Sequence, residues 1–166
     1  MEVTFYLGAL MLKVANIEAD IKAGEKRLKQ LIDNGSAIRK FKEMIEMQGG
    51  NPDIVERPDL LPSAGIRVDI RSPRTGYIRS MDAEAVGISA MILGAGREKM
   101  DSSIDPAAGI ILKKKKGDFV EKDETLCFFH SSNELIIRKA EEIYINALTI
   151  GEEPPEKREI IIEVIE

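Results

Sequence analysis

At 166 residues, 43% of them hydrophobic, the chain has room for one ordinary domain or two small ones around a real core. Its 32% charged residues suit a soluble surface. The net charge of −5, without a long basic span, argues against nucleic acid as a partner, because phosphate neutralisation needs clustered cations. A single cysteine rules out an internal disulfide framework and disfavours a cysteine metal site. No apolar run approaches the roughly 18 residues of a membrane span. No signal-peptide pattern follows Met1-Glu2. A cytoplasmic protein without membrane association is therefore expected.

Val3, Leu7, Leu10, Met11 and Val14 recur at helical spacing from the start of the chain. A sequence that opens mid-helix is expected to begin inside a longer helical region. Asn16 is the expected N-cap of a second helix, with Ile21, Leu28, Leu31 and Ile32 on its buried side. Asn34-Gly35 should end that helix, because both residues tolerate the left-handed conformation. Ser36 is the expected cap of a third helix, which carries Ile38, Phe41, Met44 and Ile45 on one face and stops at Gln48-Gly49-Gly50. Residues 2–48 thus read as three short amphipathic helices whose apolar stripes pack into a core.

Pro52, Pro58 and Pro62 break regular structure between Asn51 and Ser63, as in a linker. The period then switches to two. Ile66, Val68 and Ile70 alternate with Arg67, Asp69 and Arg71, which predicts a half-buried strand. After a turn over Pro73 to Gly76, Tyr77-Ile78 begin another strand. Asp82 should cap a helix from about Ala83 to Leu93. Gly109 to Leu112, Phe119-Val120 and Thr125 to Phe129 read as further strands, followed by a long helix from about Asn133 to Thr149. A last strand is expected over Glu159 to Val164. The fold class is α+β: a three-helix segment, residues 1–50; a proline-containing linker, 51–64; and a β-rich domain with two helices, 65–166.

The densest run of special residues is Leu93 to Ile110, with Gly94, Gly96, Arg97, Lys99, Asp101, Asp105 and Gly109. Backbone amides bind anions where a glycine turn leads into a helix N-terminus. Here the glycines follow a helix, and neither dinucleotide nor P-loop spacing is present. A C-terminal helix turn with close backbone packing is the leading expectation and a ligand contact the alternative. Arg97, Lys99, Asp101 and Asp105 are expected to form a charged network that pins the loop. Cys127, in an apolar run, reads as a small core residue. Lys113 to Lys116 reads as a solvated hairpin end, since alternate residues of a strand point to opposite faces. His130, the one histidine, has no identifiable nucleophile or metal partner in the sequence.

The segments around Gly76-Tyr77-Ile78 and Gly117-Asp118-Phe119-Val120 resemble the halves of a biotinyl or lipoyl-type hammerhead (barrel-sandwich). The Met-Lys-Met and Asp-Lys-Ala contexts that carry those cofactors are absent, so no cofactor is expected. Leu93-Gly94-Ala95-Gly96-Arg97 with Lys99, Asp101, Ile104-Asp105 and Gly109-Ile110 strongly resembles the C-terminal domain of pyrimidine-nucleoside and thymidine phosphorylases. Gly76-Tyr77-Ile78, Lys116-Gly117-Asp118 with Val120, and Phe129-His130-Ser131 fall where that family has them. Asp33-Asn34-Gly35-Ser36-Ala37, Phe41 and Gln48-Gly49-Gly50 resemble its preceding helical run.

The resemblance implies an enzyme that uses phosphate as co-substrate to cleave a pyrimidine nucleoside into base and pentose 1-phosphate. It also implies a homodimer formed mostly through a small helical domain, and a large α/β domain that closes over substrate through a hinge. The family's phosphate loop, base-reading residues and dimerising helices match nothing in this sequence. The chain is expected to carry no catalytic residue and to be inactive alone, and a dimer of it is in doubt. Gly94, Gly96, Arg97, Lys99, Asp101, Asp105 and Gly109 carry over as family-motif residues with a structural role, placed to influence closure. A free-standing binding or regulatory module derived from that domain is the alternative.

Overall fold

The computed structural model describes residues 1–97, 99–156 and 160–163. The chain divides into two compact units, one built on Met1–Leu60 and the other on Leu61–Lys157.

The first unit holds α1 (Glu2–Val14), α2 (Ile21–Asp33) and α3 (Ser36–Met47). Asn16 does not cap α2. It takes φ 55 just past the end of α1, a left-handed exit from that helix. The cap of α2 is Asp20, whose carboxylate accepts the Ala23 amide at 2.8 Å. Gly35, at φ 75, separates α2 from α3, and Asn34 Oδ1 accepts the Ser36 amide. Ser36 is thus the first residue of α3 rather than its cap.

Contacts between α1 and α2 centre on small residues. Ala9 and Gly24 are both buried, and a Cβ built at Gly24 would stand 2.8 Å from the Ala9 Cα. Glycine is therefore what lets the two backbones meet. The expected burial of the α1 stripe is overturned, since Val3, Leu7, Met11 and Val14 are all exposed. Helix α3 buries no residue at all. The proline-rich segment is not extended throughout. It folds into two 3-10 turns, Pro52–Val55 and Pro58–Leu60, the first capped by Asn51, and Lys42 ion-pairs with Glu56.

The second unit contains β1 (Ile66–Arg71), β2 (Gly76–Met81), α4 (Ala83–Ala90), β3 (Gly109–Leu112), β4 (Phe119–Val120), β5 (Thr125–Ser131), α5 (Ile137–Asn146) and β6 (Leu148–Gly151). Two antiparallel three-stranded sheets form, ordered β1-β5-β3 and β4-β2-β6. β5 is the middle strand of the first sheet and β2 of the second. Ile70, Ile78, Val120, Leu126, Cys127, Phe129 and Ile150 from the strands meet Leu93 and the Ile137, Ala140 and Tyr144 face of α5 in one core. Burial of these side chains is the main stabilising term of the unit.

Three expectations change here. The helix after Asp82 keeps its cap, with Asp82 Oδ1 accepting the Glu84 and Ala85 amides, but its α geometry ends at Ala90. A wider turn continues to Ala95. The long second helix is shorter than its periodicity suggests. It ends at Asn146, and Leu148–Gly151 leaves it to pair with β2, Ile150 opposite Ile78. β-branched Thr149 and Ile150 fit that half-buried strand. Of the expected final strand, Glu159 and Val164 lie outside the described residues, and 160–163 are not in a strand.

Candidate functional site

The loop from Met91 to Gly109 is held near both ends by Ser131, the last residue of β5, and Ser132, just past it. Leu93 is buried, and its carbonyl accepts the Ser131 hydroxyl at 2.9 Å. Gly94 takes φ 112 and turns the chain out of the helical path. A side chain there would meet both the Asp105 and Ala108 Cβ atoms at 3.3 Å. Both the backbone conformation and the close approach therefore call for glycine. The Gly94 carbonyl accepts the Asp105 amide at 2.9 Å, which closes the base of the loop.

Asp105 is the fastening residue. One carboxylate oxygen accepts the Ala107 amide at 2.9 Å, and the other accepts the Ser132 hydroxyl at 2.6 Å. Its backbone carbonyl also accepts the Ala108 amide. The Ser132 hydroxyl first, then the Ala107 amide, hold the Asp105 carboxyl below the usual aspartate range. Ser131 and Ser132 thus clamp the two ends of one loop. Ser131 stands out in the sequence only within the Phe129-His130-Ser131 motif, and Ser132 only as its neighbour ahead of the helix expected from Asn133. The available signal was a pair of hydroxyls directly after an apolar strand, facing a loop rich in backbone turns.

The expected charged network does not form. Arg97, Lys99 and Asp101 are exposed, and among the described residues none of them joins an ion pair. Beyond Gly96 the local order comes from a turn in which the Lys99 amide donates to Ser102 Oγ and the Ser102 amide to the Lys99 carbonyl. Asp105 works through neutral donors, and the other three charges stand in solvent. Gly109 begins β3 opposite His130. The structure therefore brings together Gly94, Asp105 and Gly109 at the loop base, and leaves Arg97, Lys99 and Asp101 at its rim.

The remaining candidates have ordinary structural surroundings. His130 is half-buried in β5 between Arg67 and Gly109, and no hydrogen-bonded nucleophile stands beside it among the described residues. Cys127 is fully buried, and burial pushes its thiol up to about 11, so it is protonated and unreactive at neutral pH. The Tyr144 hydroxyl beside it is also raised, first by burial and then by the Cys127 thiol, and among the described residues it has no other polar partner. Lys114 is tied to Glu124 at 2.6 Å and donates to the Phe119 carbonyl, while Lys113 reaches toward the Phe128 ring, on which Arg67 stacks at 3.8 Å. The lysine run therefore splits between different partners. Among the described residues, no group of His, Cys, Asp and Glu is placed to hold a metal.

Residues 77–151 match the model of the pyrimidine nucleoside phosphorylase C-terminal domain. The chain is 36% identical over 144 residues to a pyrimidine-nucleoside phosphorylase of Staphylococcus haemolyticus, covering 85% of this chain and 33% of that protein. It is 34% identical over 145 residues to the Bacillus subtilis protein of the same name, covering 87% of this chain and 34% of that one. The Staphylococcus aureus protein of that name is 35% identical over 133 residues, 80% of this chain and 31% of its own length. The chain spans about a third of the length of the curated relatives it matches.

Proposed function

We propose, for a chain that corresponds to the C-terminal portion of the pyrimidine-nucleoside phosphorylase family, that it is the scaffold-bearing third of such an enzyme and not a catalyst by itself. The reaction assigned to the whole is pentosyl transfer: phosphate bonds to C1′ of a pyrimidine nucleoside as the bond to the base nitrogen breaks. The products are free base and pentose 1-phosphate. Inorganic phosphate is the co-substrate, and the proposal includes no resident cofactor, a cytoplasmic setting, and a homodimer only of the whole enzyme.

One observation supports this reading: similarity runs over most of this chain but only about a third of its relatives' length, while Asp105 in the loop from Leu93 to Gly109 is engaged by Ser132 and Ala107. Stabilising a developing oxocarbenium and a leaving base needs convergent charged or polar groups around the reacting atoms. Asp105 is committed to Ser132 and Ala107, and Arg97, Lys99 and Asp101 diverge into solvent. The role these residues support is to set the shape of a loop that contributes to closure over substrate.

The test is direct. The pure chain, given uridine or thymidine with phosphate, should release no uracil or thymine above a protein-free blank. Phosphate-dependent base release by the pure chain would defeat the reading.

A second reading, a free-standing binding or regulatory module, is favoured by the complete core of the second unit. It predicts that this chain is expressed as a stable product with no phosphorylase sequence preceding it.

A further inference from the structure

Three asparagines of this chain use their side chains in the same way. Asn34 Oδ1 accepts the Ser36 amide at 2.9 Å, Asn51 Oδ1 the Asp53 amide at 2.9 Å, and Asn133 Oδ1 the Leu135 amide at 3.0 Å. Each serves an amide at the start of a helical segment, where the backbone itself offers no acceptor. What differs is the residue that follows: Pro52 after Asn51, Glu134 after Asn133, and Gly35 after Asn34. Proline has no backbone N–H, and the glutamate side chain crowds its own amide. Gly35 has neither obstacle. Its φ of 75 also keeps that position for glycine, since an L side chain is strained there. The turn between α2 and α3 thus requires a side-chain acceptor and a glycine in succession, and an asparagine followed by glycine is a reactive pair.

We propose that Asn34 is a site of spontaneous deamidation, and that the turn between α2 and α3 accepts the aspartate product in its place. Asn34 is exposed, so water and solvent base reach it. The Gly35 nitrogen loses its proton to solvent base and bonds to the Asn34 Cγ. The Cγ–Nδ2 bond breaks, ammonia leaves, and a cyclic imide remains. Water then opens the imide at Cγ to give isoaspartate's counterpart, aspartate, or at the main-chain carbonyl to give isoaspartate. The net change is one water consumed and one ammonia released. The Ser36 amide polarises the carbonyl under attack. The Gly35 amide donates to the Ile32 carbonyl at 3.1 Å, a bond at a helix end, where fraying costs little. Arg39 supplies a counter-charge for the product. Its Nη2 donates to Ser36 Oγ at 2.9 Å and its Nη1 to the Asn34 carbonyl at 3.4 Å. A carboxylate at position 34 therefore keeps the Ser36 amide, has a cation within reach and sits at the positive end of α3. Isoaspartate lengthens the backbone before Gly35 and loses that fit.

The experiment incubates the full native chain at pH 8, digests it with trypsin and reads the peptides by mass spectrometry. Cleavage after Lys29 and Arg39 excises residues 30–39 whole. That peptide should gain the mass that OH in place of NH2 brings, and should split into two chromatographic forms, aspartate and isoaspartate. The peptides that carry Asn51 and Asn133 share the side-chain geometry and should keep their mass. Asn34→Asp should abolish the gain in residues 30–39 and leave helical circular dichroism and melting temperature at or above those of the parent, since aspartate and asparagine serve helix starts equally well. Residues 30–39 that hold their mass in the native chain, while a free peptide of the same sequence gains it, would overturn the proposal, because the fold would then block the reaction. Equal gain at Asn51 or Asn133 would overturn the role of Gly35. A lower melting temperature for Asn34→Asp would overturn the accommodation of the product.

Discussion

Replacing Gly94 with alanine perturbs the loop base at its tightest point. Two costs add. A side chain at φ 112 sits in the region that L-residues avoid, at about 1–2 kcal/mol. The new methyl also meets the Asp105 and Ala108 Cβ atoms at 3.3 Å, and neither is the free end of a flexible side chain. One gain opposes them: alanine restricts the unfolded chain and contributes about 0.4–1 kcal/mol to stability. The balance is a net loss of about 1–2 kcal/mol, which lowers the melting temperature of a unit of this size by roughly 5–10 °C. Near-ultraviolet circular dichroism reads it, because Phe129 and Tyr144 pack edge to face at 5.6 Å inside the same core. Gly87→Ala is the internal control. Gly87 lies in α4 with open space around it, so alanine there should stabilise by about 0.5–1 kcal/mol. A Gly94→Ala protein as stable as the parent, or more so, would refute the assignment of Gly94 to conformation and packing.

Other expectations follow from the same geometry. Tyr144→Phe removes a fully buried hydroxyl that, among the described residues, has nothing better than the weakly bonding Cys127 thiol beside it, and should raise stability by about 1 kcal/mol, read by urea denaturation; a loss of similar size would show that the hydroxyl is satisfied in solution. Carbon-13 titration of the Asp105 carboxyl should give a midpoint below that of an ordinary aspartate, and Ser132→Ala should move it back toward that value. Because the folded carboxyl is the stronger acid, its contribution to stability is present above about pH 4 and is lost as pH falls through the folded value. An unshifted midpoint would remove Asp105 from the clamp. Cys127 should resist a thiol-reactive disulfide reagent at pH 8 until the protein unfolds, since the thiol is both buried and protonated there; rapid labelling of native protein would contradict its core placement.

Much of the second unit was legible because its signals are local and strong. Alternation over Ile66 to Arg71 marks β1, and the Asp82 carboxylate caps α4 as its position suggests. Where local signals compete, tertiary contacts decide. Asn16 and Asp20 are both good caps; the left-handed exit of α1 uses Asn16, which leaves the cap to Asp20. The helical period runs through Leu148 and Thr149, but a pairing partner in β2 converts that stretch to strand. In the loop, proximity in sequence suggested that Arg97, Lys99, Asp101 and Asp105 pair with one another. Asp105 instead reaches Ser132, twenty-seven residues away, a contact with no sequence periodicity to announce it. The apolar stripes of α1 and α3 were read correctly as apolar and wrongly as buried, because a stripe states what a helix needs and not whether this chain supplies it.

The most direct measurement is phosphate-dependent release of uracil from uridine by the pure chain, followed at saturating phosphate against the intact Bacillus subtilis relative. The relative should release uracil, and this chain should release none above blank. Turnover by the chain that requires phosphate would contradict it.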